Sequence, residues 1–334
     1  MFRVLIRKIN TVPTPQMYAC IDLGSNSFHL LIARWHNGGH EIVERFSEKV
    51  QLGEGISHSR RISPAAFQRG LLCLEAFALA LQRYPISYRW GVGTNALRVA
   101  ENAGDFIQAA KAAGFDIDVV TGLEEAALVY AGVMSALPAD NQTRLVVDIG
   151  GGSTELIVGR GAEQLQSHSL AIGCVSWRDD WFNNEWTDEQ LLRQRMADAA
   201  AAAKHVFLEV GQQLARCTWS EVYASSGTAK MLSTICAQKF SGTASPGLVN
   251  VEMLKALEND IVNLGLNPNF ALPGLKNSRK ELLLPGWAVL TGLMEAYHIT
   301  NLHFSPAALR EGMLHYIIRA QELNDSPLHV LRAS

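Results

Sequence analysis

The segment Val147 to Gly159, VDIGGGSTELIVG, sets one acid before three glycines and a second acid just after Ser153 and Thr154. Glycines let a backbone come close to a ligand, and the N–H groups of such a turn converge on a concave anion site, suited above all to phosphate. Asp148 and Glu155 are hard oxygen donors of the kind that hold Mg²⁺, and Mn²⁺ accepts the same donors. Gly151, Gly152, Ser153 and Thr154 are therefore candidate phosphate-binding positions. Asp148, Gly150 and Glu155 are candidate metal positions, and Asp148 is also placed to orient a water. Taken alone, the segment reads as well as a glycine-rich hairpin with two solvated acids.

A second copy changes that balance. Ile21 to Arg34 reads IDLGSNSFHLLIAR and Val147 to Arg160 reads VDIGGGSTELIVGR. Asp22 matches Asp148, Gly24 matches Gly150, Ser27 matches Ser153, and Arg34 matches Arg160. Two strand-turn-strand units of one design imply a duplicated domain with an anion cradle in each half. The first cradle is Gly24, Ser25, Asn26 and Ser27. Position 155 corresponds to His29, so the turns are not equivalent, and the metal is assigned to the second.

Other residues carry chemistry singly. Glu124 and Glu125 open a helix after Thr121-Gly122, where an acid either caps the helix or serves as a general base. Arg98, beside Thr94 and Asn95, offers a guanidinium that grips phosphate oxygens in bidentate fashion, or else a surface ion pair. Ser226-Gly227-Thr228 is a second small-residue turn. Arg310 and Glu311 are neighbours on a helix and read as a structural pair. His205, His298 and His303 lack metal-ligand spacing.

The elements that must position these residues alternate between strand and helix, which argues for an α/β fold. The first strand begins at Tyr18. A helix opens at Ser63-Pro64, with Ser63 as N-cap and Pro64 at its first position, and ends near Tyr84. RWGVGTNALRVA reads as one strand, followed by a helix over 105–113, a strand FDIDVVTG and a helix closing near Pro138. The second half repeats the hairpin, adds a strand over 166–172 and a long alanine-rich helix over 188–215, and is mostly helical after the strand and turn in EVYASSGTAK. The expected domains are 17–138 and 139–334. The first 16 residues, with Pro13 and Pro15, read as a loose extension and leave Met17 as a possible start.

Bulk properties bound the function. A chain of 334 residues, 48% hydrophobic and 18% charged, has core enough for two domains. A net charge of −3 excludes a generally basic nucleic-acid binder, so any polyanion must meet a local site. The five cysteines form no CxxC pair and read as reduced thiols of a cytoplasmic protein without structural zinc. No run of 18 apolar residues calls for a membrane span.

IDLGSNSFHLLIAR, GTNALRVAENAGDFI, TGLEEAALVYAGV, VVDIGGGSTELIVG, ASSGTAK and ALREGM occur in this order from about Met17 to Ala320. Together they resemble the exopolyphosphatase and guanosine pentaphosphate phosphatase family. That resemblance implies two RNase H-like domains around a cleft, as in actin, Hsp70 and sugar kinases. It implies hydrolysis of a terminal phosphoanhydride with Mg²⁺, and it points to Glu125 rather than Glu124 as the base. Gly227 and Thr228 resemble the turn that contacts nucleotide in the wider fold group. The resemblance implies inorganic polyphosphate or guanosine pentaphosphate as substrate, and a homodimer fits it. The sequence to Ser334 leads to the expectation of a short, two-domain form without the C-terminal helical domain related to HD phosphohydrolases that longer members of the family carry. A non-hydrolytic nucleotide-binding regulator of the same fold is the reading from a different class.

Overall fold

The computed structural model describes residues 16–36, 39–214, 217–241, 245–267 and 269–334. In the first half β1 (Gln16–Leu23), β2 (Ser27–His36) and β3 (Gly39–Lys49) form a meander. It continues through α1 (Ile56–Ser59), α2 (Pro64–Leu81), β4 (Ile86–Gly93), α3 (Asn95–Val99), α4 (Ala103–Ala112), β5 (Ile117–Val119) and α5 (Gly122–Ser135). The strand order is β3-β2-β1-β4-β5, with β1 antiparallel to β2 and parallel to β4.

The second half repeats the meander as β6 (Thr143–Ile149), β7 (Thr154–Arg160) and β8 (Glu163–Leu170). Then come α6 (Cys174–Trp181), α7 (Glu189–Leu208), α8 (Gly211–Leu214), β9 (Glu221–Ser225), α9 (Ser226–Lys239), β10 (Leu248–Asn250) and α10 (Val251–Leu266). A 3₁₀ turn (Asn277–Leu282), α11 (Leu283–Ala296), β11 (Asn301–Phe304), α12 (Leu309–Leu323) and α13 (Pro327–Ala333) complete it. Its strand order is β10-β11-β9-β6-β7-β8.

The repeat is therefore structural as well as sequential. Asp22 pairs across its hairpin with His29, and Asp148 pairs with Glu155 at the same register. The amide of Gly24 donates to the Ser27 carbonyl at 3.2 Å, and that of Gly150 donates to the Ser153 carbonyl at 2.9 Å.

Each sheet buries one face in its own half, the first under α2 and α4, the second under the α7–α11 layer. The opposite faces share a third core. Tyr18, Cys20 and Leu31 from the first sheet, Val146 and Ile157 from the second, and Leu128, Met313 and Ile317 from α5 and α12 meet there. The two helices cross on glycines. A methyl on Gly132 would overlap the Ala308 carbonyl, and one on Gly312 would overlap that of Leu128. This close approach lays the first turn of α12 against the second half of α5 in the core between the sheets.

Several sequence expectations need correction. The first strand starts at Gln16, two residues before Tyr18, so residue 16 lies in the sheet; residues 1–15 lie outside the described residues. RWGVGTNALRVA is not one strand. It turns into α3 after Gly93, where the Leu23 carbonyl takes the Thr94 amide at 3.3 Å and Ser25 Oγ takes the Ala96 amide at 3.2 Å. The small-residue turn after β9 is the first turn of α9 itself, entered through Ser226 at φ 89°. The alanine-rich helix stops at Leu208, and a turn at Glu209 and Val210 separates it from α8. As the sequence implies, Ser63 caps α2 by accepting the Ala66 amide at 3.2 Å, with Pro64 next.

α2 is long and apolar enough for a membrane span by length and composition, with mean hydropathy 1.3. It lies instead on the first sheet, burying Gly70, Cys73, Leu74 and Phe77 and leaving Leu72 and Leu79 exposed.

Candidate active site

The two hairpin turns face each other at the mouth of the cleft. Their carbonyls are tied from behind. Gln51 N donates to Asn26 O and Gly53 N to Ser25 O, both at 2.8 Å; Cys174 N donates to Gly150 O at 2.9 Å and Val175 N to Gly151 O at 2.7 Å. Among the described residues the N–H groups of Ser25, Asn26, Gly151 and Gly152 have no acceptor. Buried amides demand partners, so turns built this way present ready donors to an anion. The Oδ1 of Asn26 is likewise buried without a partner, while its amide nitrogen reaches Ser27 Oγ at 3.0 Å. The turns touch: a Cβ at position 151 would fall 2.9 Å from Ser25 Cβ, and one at position 152 would overlap the Asn95 side chain.

The two acids at the start of α5 part company. Glu124 closes a capping box with Thr121, accepting the Thr121 amide at 2.6 Å, and pairs with Arg332 at 2.7 Å. Glu125, one residue on, points into the cleft and is buried. Arg98 Nη1 pairs with Glu125 Oε2 at 2.6 Å and donates to the Val120 carbonyl at 3.1 Å; Nη2 reaches Ser153 Oγ at 3.4 Å. One guanidinium thus joins the first domain's buried acid to the second domain's cradle, which is not the surface ion pair that competed with the clamp reading.

Four carboxylates converge here. Burial drives Asp148 up to about 7, with the charge of Glu125 adding to it, and Asp22 also up to about 7 for the same first reason. Burial raises Glu125 against the pull of Arg98, and raises Glu155 well above the usual carboxylate range, where Glu125 and Asp148 add to the effect. Ser169, opposite Glu155 on β8, donates to its Oε1 at 2.8 Å. Packing this much negative charge out of water is costly unless a cation joins it. Among the described residues no three acidic, histidine or cysteine side chains converge at metal-ligand spacing. Mg²⁺ does not require that, since it keeps several waters and takes one or two carboxylates plus substrate oxygens. The donor set of Asp148 and Glu155, beside the Gly150 turn, fits it.

The remaining positions fall out as follows. Thr94 is buried where β4 runs into α3, beside the first cradle. Thr154 is also buried, and its hydroxyl donates to the Ile172 carbonyl at 2.6 Å, so it builds the turn from behind. Gly227 lies under a guanidinium: a Cβ there would fall 2.6 Å from Arg279 Nη1. Thr228 is buried behind that turn, its hydroxyl bonded to Cys174.

The expected Arg310–Glu311 pair is replaced by a division of labour. Glu311 caps α12 by accepting the Ala308 amide at 2.8 Å and pairs with Arg45 of β3 at 2.7 Å. The charge of Arg310 acts on Asp22, Asp148 and His29, and that of Glu311 also reaches Asp22.

Sequence reasoning left Asp22, His29, Ser169, Arg279 and Arg310 out of the site, and with them Ser225, whose hydroxyl bonds Asp148. Asp22 and His29 were marked by the repeat. Ser169 follows from the β7–β8 register once β8 is placed. Arg279 carries no local signal, since only the 3₁₀ turn brings it over α9.

Two meander-led sheets of one design, joined through crossed helices and presenting facing cradles over a buried acid, make this an actin-like fold with two RNase H-like domains. The Ppx/GppA phosphatase family matches residues 31–320, and the chain belongs to that family. It is 34% identical over 308 residues to a Haemophilus influenzae protein named as a candidate exopolyphosphatase, covering 92% of this chain and 93% of that one. It is 35% identical over 305 residues to the guanosine-5'-triphosphate,3'-diphosphate pyrophosphatase of Aliivibrio fischeri, covering 91% of this chain but only 60% of that protein. Among solved structures, an exopolyphosphatase from Cytophaga hutchinsonii superposes with a TM-score of 0.81 at 24% identity, over 91% of this chain and 98% of that one. The Aquifex aeolicus member of the family superposes with a TM-score of 0.72 at 21% identity, over 94% and 100%.

Proposed function

We infer that this hydrolase releases terminal orthophosphate from inorganic polyphosphate. The observation that carries this is Glu125: a buried carboxylate at the cleft base, held by the same arginine that reaches the second cradle. A group so placed can take a proton from a water while the arginine and the cradle amides take up charge on the phosphoryl oxygens.

The terminal phosphoryl group is held between the amides of Ser25 and Asn26 on one side and Gly151, Gly152 and Ser153 on the other. Asn95 and Thr94 wall the first cradle, and distal phosphates run toward Gly227 under Arg279. Arg98 neutralises the equatorial oxygens. Glu125 accepts the proton as the water oxygen bonds to phosphorus, and the bond from phosphorus to the bridging oxygen breaks on the opposite side. Asp148 orients the water. Mg²⁺, held by Asp148 and Glu155 beside Gly150, would supply Lewis-acid neutralisation of the phosphate oxygens. Because the turns touch, a phosphate between them requires the halves to part and close again. A cytoplasmic setting belongs to this reading, supported by Cys20, Cys73, Cys174 and Cys236 being buried thiols.

Guanosine pentaphosphate 5'-phosphohydrolysis is the second reading, favoured by the 35% identity to the Aliivibrio enzyme. The Haemophilus relative matches over nearly its whole length, which supports polyphosphate first. Phosphate release from both substrates, assayed in parallel with Mg²⁺, tests this. Faster release from polyphosphate at equal terminal concentration is the expected result. Release from guanosine pentaphosphate alone would reverse the order, and release from neither would favour a non-hydrolytic nucleotide-binding role.

A further inference from the structure

A cavity of about 420 Å³ opens between the domains beside the catalytic arginine. Arg98, Asn95 and Ser153 line it on the cradle side, with Ser169, the partner of Glu155. Its outer rim is Leu123 and Ala171, both exposed. No residue of the Ser226–Thr228 turn and no residue of the 3₁₀ turn that carries Arg279 lines it.

The chemistry assigns this cavity a side. In-line displacement puts the attacking water opposite the leaving oxygen. On the reading above, the leaving chain lies toward Gly227 and Arg279. The water lies toward Glu125, whose arginine partner forms the cavity wall. After transfer, phosphorus is bonded to the oxygen that arrived from the cavity side, and the shortened chain still occupies the other.

We propose that this cavity admits the attacking water and is the exit for orthophosphate, so that the polymer is shortened without first leaving its track. The inference rests on the hydrolytic reading. The lining suits an anion exit, because Arg98, Asn95 and Ser153 offer a phosphate ion partners on the cradle side. A cavity of this volume holds one phosphate with water around it.

Leu123→Trp and Ala171→Trp narrow the mouth from opposite domains, and neither residue touches the proposed catalytic groups. Both replace exposed side chains, so folding is retained, checked by circular dichroism. Phosphate formed is read by acid quench, and phosphate free in solution by a fluorescent phosphate-binding sensor, on polyphosphate with Mg²⁺. Each variant should form the first equivalent of phosphate at the wild-type rate but free it about tenfold more slowly, giving a burst that wild type lacks. Release keeping pace with formation in both variants would overturn the proposal. A raised KM for guanosine pentaphosphate, with polyphosphate kinetics unchanged, would also overturn it and make the cavity a nucleoside pocket. Wild type forming no phosphate from either substrate would instead remove the hydrolytic reading beneath it.

Discussion

Asp148→Asn is expected to stabilise the metal-free protein while destroying its function. Asp148 has its folded pKa pushed from 3.8 to about 7, first by burial and then by Glu125. A rise of roughly 3 units corresponds to about 4 kcal/mol against the ionised form in the folded state. The sign follows from proton counting. Between the unfolded value and 7 the folded state binds the extra proton, so stability falls as pH rises. The contribution is complete below about pH 4 and gone above about pH 7. From pH 5 to pH 8 the Asp148 share of that loss is about 3 kcal/mol, which for domains of this size is roughly 6–12 °C in Tm. Asparagine removes the charge in both states, so the variant should melt higher than wild type at pH 8 in chelator, higher by less at pH 5, and equally only below about pH 4. Asp22→Asn should behave alike, since burial lifts Asp22 to a similar value. The double variant should gain less than the sum, because Asp22 itself raises Asp148. Thermal melts of the three variants at both pH values, with and without Mg²⁺, provide the assay. A wild-type Tm independent of pH over this window, or variants destabilised equally at both pH values, would refute the claim that these acids are buried at electrostatic cost.

Other outcomes follow from single contacts. Gly132→Ala should cost about 3 kcal/mol or more, because its methyl would overlap the Ala308 carbonyl where the backbone cannot give way; a denaturant midpoint measures it. Thr121→Ala should lose about 1 kcal/mol of stability through the capping box and leave kcat within about twofold. Arg98→Lys should raise KM and lower kcat together, since one ammonium cannot hold Glu125 and reach Ser153 at once; steady-state kinetics on polyphosphate would show it.

The hairpin repeat was legible in sequence because a turn is local: the acid, the glycines and the flanking alternation lie within one segment. The separation of Glu124 from Glu125 was legible only by resemblance. Both suit a helix start, and the side of α5 that faces the cleft is decided by its crossing with α12, which involves residues some 180 positions away. Arg310 was misread for a related reason. Neighbouring residues on a helix diverge by about 100°, so Glu311 pairs with Arg45 instead, while the charge of Arg310 acts on Asp22 and Asp148. Thr154 and Thr228 were placed by the turn pattern and by resemblance, and that local pattern could not show that their hydroxyls go to Ile172 and Cys174. Short apolar strands such as β10 and β11 were lost among helices because three or four residues carry no period.

The most direct test of the central claim compares Glu125→Gln with Glu124→Gln in phosphate release from polyphosphate. The two residues are adjacent, identical in type and on one helix, yet only Glu125 is held by Arg98 at the cradles. The account predicts a fall in kcat of about 100-fold or more for Glu125→Gln. For Glu124→Gln it predicts near-normal kcat with a lowered Tm. Equal activity in the two variants, or the larger loss in Glu124→Gln, would contradict it.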